Sequence, residues 1–321
     1  MSTYKQIAGT DIEVLSSDPA NPVEGQVWYN STSNTVKAVF NDPGSWATSN
    51  DMNTGRYASA ASGTQTAALV FGGFAPPGTQ AVTESYDGTS WTEVNDLNSA
   101  RYWLAGAGSQ TSALAMNGDV PPSSNAVESW NGTSWTTITS TNTAKERSEG
   151  AGADNTSVIV MGGFSPDTRT ELWNGSAWTI VNSLNTGRTA FASAGASATA
   201  ALVFGDAPVS NATESWNGTS WTTVSSLNES VTESGGAGTN TSALNFGGDQ
   251  PDQTITESWN GSSWSIGNSL NTGRYTLSGV GSNNTAALAI GGRAPSPIGA
   301  AASAATEEWN AGPSTITFSD S

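Results

Sequence analysis

An all-β chain of six repeated four-stranded units, closed into a ring as a β-propeller, is what the sequence predicts. Three observations predict it. A tryptophan recurs at near-constant spacing, a six-residue apolar run recurs once per spacing, and no window carries a capped, helix-period apolar stripe. Trp46, Trp91, Trp135, Trp178, Trp221 and Trp264 are 45, 44, 43, 43 and 43 residues apart. Each opens a segment such as WTEVNDLN. A basic position and a small-residue segment such as ASAGAS follow. Then come the apolar runs TAALVF (66–71), TSALAM (111–116), TSVIVM (156–161), TAALVF (199–204), TSALNF (241–246) and TAALAI (285–290).

Each piece of the unit has a physical reading. The apolar runs are short and bounded by turn residues, which suits buried strands. TESW alternates, placing Glu and Trp on one face and Thr and Ser on the other. ESWNGTSW predicts a hairpin whose Asn-Gly pair supplies the positive φ angles of a type I′ turn. The glycine pairs Gly72-Gly73, Gly162-Gly163, Gly247-Gly248 and Gly291-Gly292 permit tight turns and close backbone approach. Four antiparallel strands in about 43 residues is the size of one propeller blade. A lone blade cannot bury both faces, whereas blades stacked in a ring cover one another. The repeated aromatics Tyr86, Trp130, Trp173, Trp216, Trp259 and Trp309 are then core residues, each contributing about 1.5–3 kcal/mol on burial.

The order of basic residue, apolar strand, Gly-Gly, aromatic, turn and Trp resembles the kelch repeat over about residues 46–309. The copies depart from it at Asn117-Gly118, at Gly205-Asp206, and at Ser314, where the last unit lacks its Trp. Residues 35–49 repeat only the second half of a unit. Three closures therefore fit: STITF (314–318) finishes blade six, or the Trp46 strand clasps it, or QVWYN (26–30) begins an incomplete seventh blade. Six blades are expected, with the propeller over 46–321.

Residues 1–45 form a separate N-terminal segment, with two alternating strands joined by a polar turn after a Pro-rich lead. Ser16-Ser17-Asp18-Pro19, Asn21-Pro22, Gly25, Val27-Trp28-Tyr29-Asn30-Ser31-Thr32 and Lys37 resemble a segment near the start of tail and fibre proteins of bacterial viruses, especially marine ones. The resemblance implies a virion protein, attached through this segment to other virion proteins and to copies of itself.

Composition narrows the function. With 27 acidic and 10 basic residues the net charge is −17, which argues against nucleic acid and anionic membranes as partners. No Cys and no His are present, which removes thiolate and imidazole chemistry and nearly all zinc and copper sites. The copper site of galactose oxidase, another kelch-type propeller, is excluded with them. No apolar run is long enough to insert in a membrane, and the N-terminus does not read as a secretory leader. Ser85-Tyr86-Asp87-Gly88-Thr89-Ser90-Trp91 falls one residue short of the sialidase Asp box. No unrepeated acid pair stands out for glycoside chemistry, so no enzyme is expected. The sequons beginning at Asn131, Asn174, Asn217 and Asn260 read as hairpin turns.

Five of the ten basic residues occupy the position before the first strand: Arg56, Arg101, Lys145, Arg188 and Arg274, with Val231 in the fifth unit. The TESW position holds Glu84, Glu128, Glu171, Glu214, Glu257 and Glu307. Repeated structural ion pairs are the preferred reading. A ring of basic side chains at the channel mouth, holding an anionic glycan, is the alternative. Asp249, Asp252 and Glu257 are a candidate calcium site. No other cofactor is expected. The variable loops 73–81, 118–125, 163–168, 205–211, 248–253 and 292–304 should crowd one rim beside the basic positions and present the partner surface. Taken together, these readings make the chain a non-enzymatic bacteriophage appendage that displays a propeller to a host-surface glycan or protein receptor. A cellular kelch-type interaction module is the alternative, and a glycan-processing enzyme a remote one.

Overall fold

A computed structural model describes residues 12–165, 167–206, 209–251, 253–294 and 301–318. None of these residues is helical, so no helix is long and apolar enough to cross a membrane. The chain divides into two compact units, one of residues 45–310 and one of residues 1–44 and 311–321.

The larger unit is a six-bladed β-propeller. Blade one consists of Ala60–Thr64, Ala67–Phe71, Thr83–Tyr86 and Trp91–Val94, paired in that order and antiparallel throughout. Blades two to five repeat it, with inner strands Ala105–Gly108, Glu149–Asp154, Ala192–Ser197 and Gly235–Thr239. Blade six is built from both ends of the unit. Ser278–Asn283 and Ala286–Ile290 are followed by the first part of Thr306–Phe318, and the fourth strand is the last part of Thr35–Thr48, which carries Trp46. Trp46 takes the place of the missing blade-six tryptophan, its ring 5.4 Å from that of Trp309. The clasp is therefore the closure used. STITF continues the third strand instead of forming the fourth, and QVWYN begins no seventh blade.

Burial explains the repeated aromatics. Every tryptophan of the TESW and WTxV positions is at most 8% exposed. The core lies between facing blades. Ile159 and Met161 of blade three pack with Ala201, Val203, Trp216 and Trp221 of blade four. The WTxV indoles also stitch blades together. Trp135 Nε1 donates to Thr83 Oγ1 of the preceding blade (3.1 Å), and Trp221, Trp264, Trp46 and Trp91 do the same to Thr170, Thr213, Thr256 and Thr306. Blade two has Val127 in place of that threonine, and Trp178 turns to the Thr139 carbonyl instead (3.0 Å).

The Asn-Gly hairpins differ from the expected two-residue turn. Trp130 pairs directly with Trp135, leaving a four-residue loop, Asn131 to Ser134. Within it Gly132 takes a positive φ (91°) and Asn131 does not. The Asn131 side chain instead accepts the N–H groups of Thr133 and Ser134 (both 2.9 Å). Asparagine acts here as an Asx-turn acceptor, which removes the need for a second left-handed residue. At the departure from the glycine pair, Asn117 adopts φ 60°, a conformation asparagine tolerates.

In the smaller unit, Val27–Asn30 pairs antiparallel with the start of Thr35–Thr48, the expected hairpin. A third strand, Glu13–Leu15, runs parallel to Val27–Asn30. Asp18 organises this unit. Its carboxylate accepts Trp28 Nε1 (3.0 Å), Asn30 Nδ2 (2.7 Å) and Lys37 Nζ (2.6 Å). The bond from Lys37, followed by those from Asn30 and Trp28, holds the Asp18 carboxyl down at about 2.

The inner strands approach one another closely around the axis. A Cβ on Gly236 would lie 2.3 Å from the Ser193 carbonyl oxygen of the neighbouring blade, and one on Gly279 equally close to that of Gly236. Small residues there are a steric requirement, since backbone cannot yield as a flexible side chain can. Gly236→Ala is expected to cost about 1–3 kcal/mol in denaturant unfolding through overpacking. Gly78→Ala, where nothing lies within 4 Å, should be close to neutral.

Candidate functional site

The repeated basic residues are buried. Arg56, Arg101, Arg188 and Arg274 are at most 1% exposed and pair with Glu84 (2.7 Å), Glu128 (3.1 Å), Glu214 (3.0 Å) and Glu307 (2.9 Å). Burial pulls the pKa of Arg56, Arg101 and Arg274 down against the pull of their glutamates. Lys145 departs from the pattern. Its ammonium donates to the Arg169 carbonyl (3.2 Å) and lies 4.0 Å from Asp167. None of the five side chains is presented to a ligand at the channel mouth, because each head group is spent inside its own blade. The ion-pair reading holds at four blades, and all five side chains are buried.

A second element of this cluster was not evident from the repeat. An asparagine in each linker clamps the same glutamate. The N–H groups of Asn53, Asn98, Asn142, Asn185, Asn228 and Asn271 donate to Glu84, Glu128, Glu171, Glu214, Glu257 and Glu307, all at 2.7–2.8 Å. Each asparagine Nδ2 also reaches a tryptophan carbonyl in the strand beside it, as Asn98 does to Trp135 (3.1 Å). Glu257, opposite Val231, is held by the Asn228 N–H and Nδ2 and by the Glu229 N–H without a cation. Its oxygens are thereby engaged, which removes it from the calcium site read from the sequence. Asp252 of that trio lies outside the described residues. Among the described residues no group of three or more acidic side chains is placed to share a metal ion.

Beyond the basic position the chain forms a ring around the channel mouth. Two residues after it stand Ala58, Trp103, Arg147, Ala190, Glu233 and Thr276, all non-glycine and all with φ between 52° and 56°. Left-handed backbone at six such residues is unfavourable locally and persists only where surroundings impose it. Head-to-tail hydrogen bonds between blades impose it here. Ala58 donates to Thr276, Trp103 to Ala58, Arg147 to Trp103, Glu233 to Ala190 and Thr276 to Glu233, at 2.7–3.0 Å.

This ring carries side chains that break the repeat. All six of its residues line one cavity at the mouth. The Arg147 guanidinium stacks 3.9 Å from the Trp103 ring centroid and bonds Glu233 Oε1 at 2.9 Å. Arg147 and Glu233 belong to blades three and five, and the small Ala190 of blade four lets them meet. Desolvation raises the Glu233 carboxyl against the opposing pull of Arg147. Outside the ring lies an aromatic arc. Tyr57 and Phe74 are 5.4 Å apart, Phe74 and Tyr102 5.7 Å, and Tyr102 and Trp103 6.4 Å. Arg293 lies over Tyr57 (4.7 Å) and Tyr275 (5.5 Å). A hydrogen bond to Asp119, with burial, pushes the Tyr102 hydroxyl up to about 12.

The loops after the second strands join this rim. Bridges pair Tyr57 with Phe74, Tyr102 with Asp119, Ser210 with Val231, and Tyr275 with Arg293. The variable loops therefore flank the mouth, as the repeat suggested. The mouth residues themselves escaped sequence reading. Their signal was available as a position, two after the basic residue, that changes from Ala to Trp, Arg, Glu and Thr among otherwise similar copies.

The channel behind the mouth has a cavity of about 120 Å³ lined by small residues, with Glu149 as its acidic side chain. Burial raises the Glu149 carboxyl to about 8, opposed by the Ser193 hydroxyl that donates to it at 3.1 Å. The chain matches no protein-family model, and no curated protein matches it.

A raised folded-state pKa means that the native state binds the proton more tightly than the unfolded chain does. The contribution of Glu149 to stability is therefore fully present below about pH 4.5 and is lost as pH rises toward about 8. Glu149→Gln should remove this dependence. In dilute buffer, the stability of the variant relative to the parent should climb from about pH 5 to pH 8 and stay flat below. Chemical denaturation at a series of pH values reads this directly, and parallel curves would remove the assignment.

Proposed function

We infer that the chain is a non-enzymatic structural protein of a bacteriophage virion, a tail-fibre, neck or head appendage, whose propeller adheres to a host-surface glycan or protein. The observation that carries the adhesion reading is the mouth rim. There, Tyr57, Phe74, Tyr102 and Trp103 form an arc flanked by Arg147 and Arg293. Partly exposed aromatic faces next to fixed hydrogen-bonding groups suit the apolar faces and hydroxyl edges of sugar rings, and equally a peptide loop. A rigid blade ring with variable loops on one rim is a scaffold for such contacts. The acidity of the chain disfavours nucleic acid as the ligand.

The virion reading rests on the N-terminal segment. Asp18, Trp28, Asn30 and Lys37, which carry its resemblance to phage tail and fibre proteins, are the residues that join around one carboxylate. That segment suits attachment to other virion proteins or to further copies of the chain. The repeat order supports kelch-like ancestry for the propeller.

Two measurements test this. Mass spectrometry of purified particles should detect the chain, and its absence would assign it instead to a cellular kelch-type interaction module. The isolated chain should bind a subset of a host-glycan array or host-cell surface. Trp103→Ala should weaken that binding by about 10-fold or more, as loss of an aromatic anchor does. Unchanged binding by this variant would move the adhesion surface away from the mouth.

A further inference from the structure

Glu149 is the residue in the propeller channel that the repeat does not account for. It opens its inner strand, at the position where the other blades have Ala60, Ala105, Ala192, Gly235 and Ser278. Three blades carry alanine there, so the fold does not need a carboxylate. Its side chain lines both the channel and the cavity at the mouth. Apart from the Ser193 hydroxyl, nothing polar or charged among the described residues balances it. Arg147, two residues earlier, is committed to Glu233 and Trp103.

A second observation points to the same space. Ser234 lines both cavities, is only 8% exposed, and its hydroxyl has no hydrogen-bond partner. The Thr276 hydroxyl, on the mouth ring, is likewise buried and without a partner. Buried polar groups without partners are rare, and each needs an explanation. Glu149 is partly exposed to the channel, and no cation among its described neighbours offsets its charge when it ionises. One carboxylate among neutral oxygens is the donor set of a hard cation that keeps part of its water. The channel cavity of about 120 Å³ is several times the roughly 10–15 Å³ that one water needs, enough for such an ion and its remaining shell.

We propose that Glu149, with the hydroxyls of Ser193 and Ser234, holds a partly hydrated hard cation on the propeller axis, behind the Arg147–Glu233 bridge. The ion supplies the charge that Glu149 lacks and joins inner strands of blades three, four and five at the channel. The site is independent of adhesion and stands whether or not the rim binds a glycan.

The test uses the full chain freed of metal by chelation, with ionic strength held constant by tetramethylammonium chloride, a cation too large and too weakly coordinating for the site. Calcium chloride or sodium chloride is then titrated while thermal unfolding and calorimetric binding are followed. One of the two ions should raise Tm saturably, by about 2 °C or more. That rise should vanish in Glu149→Gln and in Glu149→Ala, the latter restoring the residue of three sister blades. Ser234→Ala should weaken the binding several-fold. No ion-specific rise in the parent chain would overturn the proposal. So would an equal rise in both Glu149 variants, which would place the cations on the acidic surface.

Discussion

Six buried carboxylates, one in the third strand of each blade, hold the linkers on which the rest of the ring depends. Each accepts the backbone N–H of an asparagine in the linker arriving from the preceding blade. The partner cation is less constant: arginine in four blades, a lysine in the third, and valine in the fifth. A carboxylate that accepts several N–H bonds is well accommodated even when buried, because the donors replace its water. The invariant part of the device is thus the clamp of linker N–H onto carboxylate. The guanidinium completes it where present and reaches strand carbonyls, as Arg188 does to Gly205 and Ala212.

Clamping the linker has consequences nearer the axis. It sets where the chain turns inward, and the next residues enter the left-handed ring at the channel mouth. There each backbone is tied to its neighbour blade, and the inner strands beyond pack so tightly that Gly236 and Gly279 admit no side chain. Side chains on the left-handed ring line the mouth cavity in this arrangement. The ring can carry Trp103, Arg147 and Glu233 without disturbing the blades, and the channel can carry Glu149. Architecture is repeated, and chemical individuality is gathered at one mouth.

Much of this was legible in the sequence, for a physical reason. Strand length, turn chemistry and aromatic burial act locally and recur in every copy, so six copies vote on each. The blade count, the buried tryptophans, the Arg–Glu pairing and the N-terminal hairpin follow from that. The clasp by Trp46 was one of three closures, because local pattern cannot say which chain end pairs with which. The role of Asn131 and its equivalents was misread as a two-residue turn, since Asn-Gly serves both that turn and the longer Asx loop. The Asn–Glu clamp was missed because its partners lie about 30 residues apart and no charge marks the asparagine. The mouth was missed because a position that varies among copies looks like drift until φ angles show that all six share one conformation.

The most direct measurement compares Arg188→Val with Glu214→Ala by equilibrium unfolding. Glu214→Ala strands a buried guanidinium and the Asn185 N–H, and should cost about 3–5 kcal/mol. Arg188→Val reproduces the natural pairing of Val231 with Glu257, in which linker N–H groups and the Asn228 side-chain amide hold the carboxylate. It should cost clearly less. An Arg188→Val penalty equal to or larger than that of Glu214→Ala would contradict the primacy of the N–H clamp and make the ion pair the element on which the ring depends.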